Sequence, residues 1–200
     1  MKKLLTLLFT LCSLSIFAQT SKGSFMIGGN GSLLFDNDDY SGGEVKSKSL
    51  SINPTVGYFI IKNLSAGLNV PFELSSSTTK IPMFQEEYDG DGHSIGVAPF
   101  LRYYIPVKSF FIVTEGAYGW YYSKNSYESF DPSTGAVIGS EEWSDKYRAF
   151  SLAAGPAFFL SQYSSIEILV NYKRANFDQF DQSQFYISVG FQIYLPSNRE

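Results

Sequence analysis

The sequence predicts an all-β fold, an eight-stranded antiparallel up-and-down transmembrane β-barrel preceded by a secretory signal peptide. Three observations support this prediction. The first residues have the layout of an export signal, segments of alternating polar and apolar residues recur along the rest of the chain, and the connections between these segments alternate between long and short. We therefore divide the chain into a signal peptide over residues 1–18 and one barrel domain over residues 19–200.

The amino terminus predicts export. Lys2 and Lys3 precede an apolar stretch from Leu4 to Leu11, and the small residue Ala18 follows at a suitable distance for cleavage. A transmembrane helix needs about 20 apolar residues, and no other segment comes close, so a membrane can be crossed only by strands. The only cysteine, Cys12, lies within the signal, which excludes a disulfide or a thiolate nucleophile in the mature chain.

Charge and composition exclude one class of partner and indicate what the protein surface faces. Loss of Lys2 and Lys3, two of 15 basic residues against 19 acidic ones, lowers the formal charge from −4 to −6, so we expect no nucleic-acid binding. Charged residues make up 17% of the chain, below the roughly 25% of soluble domains, whereas aromatic residues also reach 17%. This balance favours a surface that faces lipid.

Eight segments alternate with period two and are bounded by Gly, Asn, Asp, Ser or Pro. They run over residues 24–35, 48–60, 64–75, 94–104, 110–122, 147–160, 165–173 and 184–195. Four connections are long and polar, namely residues 36–47, 76–93, 123–146 and 174–183, and three are short, namely residues 61–63, 105–109 and 161–164. Strict alternation of long and short connections is typical of outer loops and inner turns of a membrane barrel, with both termini in the periplasm.

Side-chain size indicates which face meets lipid. In the second segment Leu50, Ile52 and Val56 share one face, and the other carries small uncharged residues such as Ser49 and Ser51. A soluble barrel with an apolar interior also alternates, but its outer face would carry many Lys and Glu residues. We therefore assign the large apolar face to lipid. A secreted lipocalin-like barrel remains the alternative.

Aromatic residues fall near both ends of the segments, as expected at two membrane interfaces. Those beside the short turns are Tyr58, Tyr103, Phe110 and Phe158, and those near the long connections are Phe35, Trp120, Tyr122, Phe150 and Phe185.

Three segments in this order resemble the bacterial outer-membrane β-barrel domain family, the small eight-stranded OmpA/OmpX-like and PorT-like barrels. They are the Gly-rich opening at residues 25–29, the run at residues 54–59 followed by Asn63 and Leu64, and residues 99–104 before a short turn. The resemblance covers nearly the whole mature chain. It implies the outer membrane of a Gram-negative bacterium, with outer-membrane lipids, lipopolysaccharide and the barrel-assembly machinery as partners.

The last strand also resembles the assembly signal of that family, with Ser188, Gly190, Ile193 and Leu195 at the expected offsets. The chain departs from the family pattern after this point. Residues 196–200 extend past the strand, so the chain does not finish on an aromatic residue.

The alternation places five charged side chains in the lumen, where unpaired charges are costly. They are Glu73, Arg102, Glu115, Glu167 and Lys173. Arg102 and Glu115 flank one short turn, so we expect them to pair on adjacent strands. We predict that this lumen charge network is structural and helps to plug the barrel.

No catalytic residue, metal site or cofactor is predicted. Residues 92–96 match a G-x-S-x-G pattern, but the only histidine, His93, precedes Ser94 directly and points to the opposite face of a strand. The acidic runs at residues 36–39 and 86–91 lack EF-hand spacing and are interpreted as solvated loops. A lipid-modifying enzyme that uses His93 with another serine is a less favoured alternative.

The long loops are rich in aromatic residues, which are common anchors at interfaces. They carry Tyr40, Phe84, Tyr88, Tyr127, Phe130, Trp143, Phe177 and Phe180. We therefore predict a non-enzymatic barrel with a structural or surface-interaction role, with a possible extracellular ligand at the loops. A narrow pore or a conduit for hydrophobic ligands is the alternative function.

Overall fold

The computed structural model describes residues 20–40, 43–81, 86–131, 133, 136–177 and 181–197, which form one antiparallel sheet. Its strands are β1 (Phe25–Tyr40), β2 (Gly43–Ile61), β3 (Leu64–Asn69), β4 (Phe72–Ile81), β5 (Glu86–Val107), β6 (Phe110–Phe130), β7 (Val137–Ser161), β8 (Ser164–Asn176) and β9 (Asp181–Leu195). No helix in the described ranges is long and apolar enough to span a membrane. The predicted signal peptide lies outside the described residues, which begin at Thr20.

The strands pair in an order that forms a barrel. β1 pairs antiparallel with β2 and also with β9, so the hydrogen-bonded sheet returns to its first strand. β3 and β4 together occupy one position between β2 and β5. The predicted all-β antiparallel barrel is confirmed.

The third predicted strand is divided in the structure, which gives nine strands among the described residues instead of eight. The break falls at Val70 and Pro71, and the register against β2 is the same on both sides, with Asn69 opposite Thr55 and Phe72 opposite Ile52. Proline has no N–H to donate to the ladder. β3 and β4 therefore act as one strand of the barrel with a local gap in its hydrogen bonding.

The predicted long loops are wrong over most of their length, because they continue the strands as paired hairpins. β1 and β2 stay paired from Asp36 opposite Ser47 to Tyr40 opposite Gly43, and β6 pairs with β7 up to Phe130 opposite Val137. Backbone hydrogen bonds hold these polar segments in extended form even where no apolar face needs burial. The short turns at Lys62–Asn63, Lys108–Ser109 and Gln162–Tyr163 agree with the predicted ones.

The outer face of the strands is apolar and exposed, as predicted. Aromatic side chains lie on this face at both levels: Tyr58, Tyr103 and Phe158 near the short turns, and Phe35 and Phe185, exposed by 73% and 72%, near the hairpins. The inner face carries the buried residues, including Arg102 and Tyr104. Lipid on the outside and a filled lumen inside account for this inverted pattern of burial.

Candidate functional site

A buried ion cluster crosses the lumen near its middle. Arg102 on β5 is fully buried, and its Nε lies 2.5 Å from Oε2 of Glu115, the residue directly opposite it on β6. Its Nη1 lies 3.0 Å from Oε2 of Glu167 on β8, which is also fully buried. The guanidinium therefore joins strands from different sides of the barrel.

Polar neighbours satisfy the remaining oxygens of both carboxylates. The Tyr104 hydroxyl donates to Oε1 of Glu167 at 3.1 Å, and Gln192 Nε2 donates to Oε2 of the same residue at 3.4 Å. Asn69 Nδ2 donates to Oε1 of Glu115 at 2.9 Å, and Thr55 donates to the amide oxygen of Asn69 at 2.8 Å. A charge-assisted network of this kind holds its side chains in fixed positions.

An apolar and aromatic layer packs against the ion cluster, and most of its rings lie on the side of the short turns. Tyr104 and Tyr194 contact each other edge-on with ring centroids 6.2 Å apart, and Phe59 lies 5.7 Å from Tyr104. The other members of this layer are Met26, Ala98, Phe100, Phe111, Val113, Ala117, Ala157 and Leu169, with Ala153 and Phe159 packed against them. The ion cluster and this layer form one plug, which we call the lumen plug.

The segment before β1 adds to the plug at the same end. Thr20 is buried and donates to Oδ1 of Asn63 at 2.5 Å, and the Asn63 amide donates to the Thr20 carbonyl at 2.8 Å. Asn63 has a positive φ of 66°, a conformation that asparagine tolerates in tight turns. The β2–β3 turn and residues 20–24 are thereby tied together at the base of the barrel.

The opposite half of the lumen is an open polar cavity of about 450 Å³, which we call the vestibule. Lys173 lies at its floor, with Nζ 3.7 Å from Oε2 of Glu73 and 4.8 Å from the ring centroid of Tyr121. Tyr121 stacks on Tyr147 with centroids 5.0 Å apart. A hydroxyl-rich wall includes Ser75, Ser77, Ser94 and Ser123.

Two lumen side chains on the solvent side of the plug carry hydrogen-bonding atoms without a protein partner in the described structure. They are Ser123 Oγ in the vestibule and Asn53 Oδ1 beside a smaller cavity of about 50 Å³. Buried polar atoms in roomy polar cavities are the usual binding positions of ordered water. The vestibule is thus a polar pocket with room for ordered water, and it ends at the lumen plug.

The structure brings the five predicted charged residues together in two groups, one around Arg102 and one at the Glu73–Lys173 pair. The network also contains Tyr104, Gln192, Asn69 and Tyr194, which were not predicted from the sequence. The available signal was period-two spacing: Tyr104 is two residues from Arg102, Asn69 is four from Glu73, and Gln192 and Tyr194 are on the lumen face of the last strand. Four residues proposed as an assembly signal lie on β9: Ser188 and Gly190, which are buried, and Ile193 and Leu195, which face outward.

The loop aromatics divide into two groups. Tyr88 is buried and packs on half-buried Phe130 with centroids 4.5 Å apart, and half-buried Phe177 packs on Tyr147 at 4.4 Å, so these three are less exposed than the sequence indicated. Tyr127 and Trp143 are exposed, and the side chains of Tyr40, Phe84 and Phe180 lie outside the described residues.

The candidate catalytic pair is separated in the structure. His93 is exposed and lies between Leu74 and Lys124 in the sheet, whereas Ser94 faces the lumen. Within the described ranges, no three His, Cys, Asp or Glu side chains come together as metal ligands would. The side chains of Asp38, Asp39 and Glu86 in the two acidic runs are outside the described residues.

An antiparallel barrel with an apolar outer face, aromatic girdles and a filled lumen defines the class of small outer-membrane β-barrel proteins. The model of the outer membrane protein beta-barrel domain matches residues 4–192, so the chain belongs to that family. Both the family and the fold indicate the outer membrane of a Gram-negative bacterium as the location.

Solved structures of outer-membrane proteins are similar to this chain at low sequence identity. OprG from Pseudomonas aeruginosa is 14% identical with a TM-score of 0.52, and the match covers 90% of this chain and 100% of that one. Ail of Yersinia pestis is 17% identical with a TM-score of 0.49, covering 87% and 99%. Neisserial surface protein A is 13% identical with a TM-score of 0.47, covering 86% and 99%. No curated protein matches the sequence.

Proposed function

We propose that this protein is a surface-interaction barrel: its lumen does not conduct, and its external hairpins contact a partner outside the cell. The observation that carries the proposal is the lumen plug, in which fully buried Arg102 is held by Glu115 and Glu167 above an aromatic layer. A solute that crossed the barrel would have to break two buried ion pairs, which is costly. The exposed hairpins are then the part of the molecule left for function.

The β6–β7 hairpin is the best candidate for contact. It runs to Phe130 and Val137, and its outer part exposes Tyr127, Val137, Ile138 and Trp143. Ile138 is 69% exposed, which is unusual for a large aliphatic side chain that faces water. Exposed aromatic and aliphatic groups on a paired β-ribbon are suitable anchors for a protein partner.

Crosslinking on intact cells tests the contact. A photoreactive amino acid at position 138 should give a discrete protein adduct when the partner is present, identified by mass spectrometry. The same group at position 152, where Leu152 faces outward from the barrel, serves as the control and should react with lipid. Equal adducts at both positions, or none at position 138, would contradict the proposal.

The vestibule favours a second candidate, a narrow pore, because its wall is rich in hydroxyl groups and it is open on the hairpin side. Conductance in planar bilayers separates the two functions. We expect no stepwise conductance from the wild-type barrel. A steady conductance that changes in Arg102→Met would establish the pore and overturn the closed-lumen part of the proposal.

A further inference from the structure

On the outer face of the hairpins, some basic side chains form ion pairs and others do not. Lys46 pairs with Glu44 at 2.9 Å, Lys124 with Glu142 at 2.7 Å, Arg174 with Asp181 at 2.8 Å, and Lys80 with Glu87. Lys48, Lys146 and Arg148 form no ion pair with any described residue. Lys48 is isolated on β2, whereas the other two lie on the same strand.

Lys146 and Arg148 form a local cationic site. They are two residues apart on β7, so both project to the same face, about 7 Å apart along the strand. Glu142, on the same strand, is engaged by Lys124 at 2.7 Å, and Asp181 on β9 is engaged by Arg174 and Asn176. The positive charge of the two residues is therefore not neutralised by the described part of the chain.

Cross-strand pairing places these cations beside aromatic and aliphatic groups. One row across β5, β6 and β7 is Ile95, Tyr122 and Lys146, and the next is Val97, Trp120 and Arg148. Trp120 and Tyr122 are exposed by 52% and 41%. Such aromatic side chains favour the level of the lipid headgroups, which sets the height of the two cations in the membrane.

A groove of about 840 Å³ follows these rows on the outside of the barrel. Ile95 and Val97 line its β5 side, and Lys146 and Arg148 line its β7 side. Beyond Arg148 the outer face of β7 continues with exposed Phe150 and Leu152. The groove thus joins a cationic end to a continuous apolar surface.

We propose that this groove binds one lipid of the outer leaflet with a phosphorylated headgroup, of the lipid A type. Lys146 and Arg148 hold a phosphate, because a guanidinium donates two parallel hydrogen bonds to phosphate oxygens and an ammonium adds a point charge. The acyl chains lie along the apolar surface of β7 and β5. A soluble anion would use the cations but gain nothing from the apolar part of the groove.

Binding of lipid A to the folded protein in detergent micelles tests the site. The probe is diphosphorylated lipid A with a fluorescent label, titrated against wild type and Lys146→Gln/Arg148→Gln. Cations at a membrane surface each contribute about 1 kcal/mol, so the double variant should bind about 30-fold more weakly. Heat-modifiable migration on gels verifies that both proteins are folded.

Lys46→Gln/Lys80→Gln is the matched control, because it removes the same charge from the same side of the barrel at two paired lysines. It should change the affinity less than threefold. An equal loss of affinity in this control would show that the effect depends only on net charge and would contradict the proposal. An unchanged affinity in the Lys146/Arg148 variant would show that these two residues do not bind the lipid. Dephosphorylated lipid A should bind wild type as weakly as the double variant. Full competition by inorganic phosphate would assign the cations to a soluble anion and overturn the lipid proposal.

Discussion

Arg102 is the side chain on which the lumen plug depends. It contacts two carboxylates from different strands and is itself fully buried. Removal of one member of a buried ion cluster leaves the others charged and unpaired, which costs more than the pair itself contributes. Loss of Arg102 should therefore destabilise the protein by more than the loss of its own contacts.

Arg102→Met should lower the free energy of unfolding by about 3–5 kcal/mol, because Glu115 and Glu167 lose their shared cation. Urea titration of the refolded protein in detergent micelles measures this change. The triple variant Arg102→Met/Glu115→Gln/Glu167→Gln removes all the charges and should recover most of the loss. A single variant within about 1 kcal/mol of wild type would show that the cluster is not required for stability.

Gly67 on β3 should not tolerate a methyl group. An added Cβ would lie 2.1 Å from the Val56 carbonyl oxygen and 2.7 Å from Phe100 Cζ, whereas at Gly116 it would meet only Leu152 Cδ2 at 3.7 Å. Gly67→Ala should therefore cost about 1–3 kcal/mol of unfolding free energy through overpacking, and Gly116→Ala less than about 0.5 kcal/mol. Parallel urea titrations compare the two. Equal costs would contradict the close approach of β2 and β3 at this point.

At the scale of strands and hairpins, period-two alternation was sufficient to predict the order of the strands, their pairing partners and the face that meets lipid. The alternation did not predict a strand where polar residues continue it beyond the membrane, as at Ser76–Lys80, because neither face of the strand is apolar there. It also could not locate the break at Pro71, because a proline on the lumen face leaves the alternation unchanged. Hairpin length depends on backbone pairing, which the side-chain pattern records only weakly.

Asp181 at the start of β9 gives the β8–β9 hairpin a dependence on pH. Hydrogen bonds from Arg174 and then from Asn176 favour its carboxylate and lower the pKa of Asp181 below its usual value. A lowered folded-state pKa stabilises the hairpin above the unfolded pKa, and this stability is lost as pH falls through the lowered value. Carboxyl-carbon NMR of the protein in micelles, titrated from about pH 6 to about pH 2, should place the Asp181 midpoint below the ordinary range.

Arg174→Gln is the control for this titration. It removes the largest cause of the shift, so the Asp181 midpoint should return toward its usual value. Amide exchange at Asn176 should then become faster at neutral pH. A midpoint that is the same in both proteins would show that the ion pair does not persist in solution.

At the scale of the whole molecule, the fold was more predictable than the plug. Which face is apolar follows from residues such as Leu50 and Ile52, and the direct pairing of Arg102 with Glu115 follows from one short turn. The contact of Arg102 with Glu167 does not, because it joins β5 to β8 across the lumen and depends on barrel diameter and strand tilt. Packing of Tyr104 and Tyr194 has the same origin.

The barrel and its longest hairpin should be separable. Replacing residues 127–141 by Asn-Gly would join Ser126 to Glu142, which already lie opposite each other, through a two-residue turn that suits a β-hairpin. This change keeps the Lys124–Glu142 ion pair and leaves Lys146 and Arg148 in place. It removes exposed Tyr127, Val137 and Ile138 but nothing from the lumen plug.

We expect the shortened protein to keep heat-modifiable migration, a β-rich circular dichroism spectrum and an unfolding free energy within about 1 kcal/mol of wild type. Adducts formed through the hairpin on intact cells should disappear, and a photoreactive group at position 143, which both proteins retain and where Trp143 is exposed, would report this loss. Failure of the shortened chain to fold would mean that the hairpin stabilises the barrel. Persistence of the adducts would move the partner contact to another hairpin, because the plug and the lipid-facing surface are identical in the two proteins.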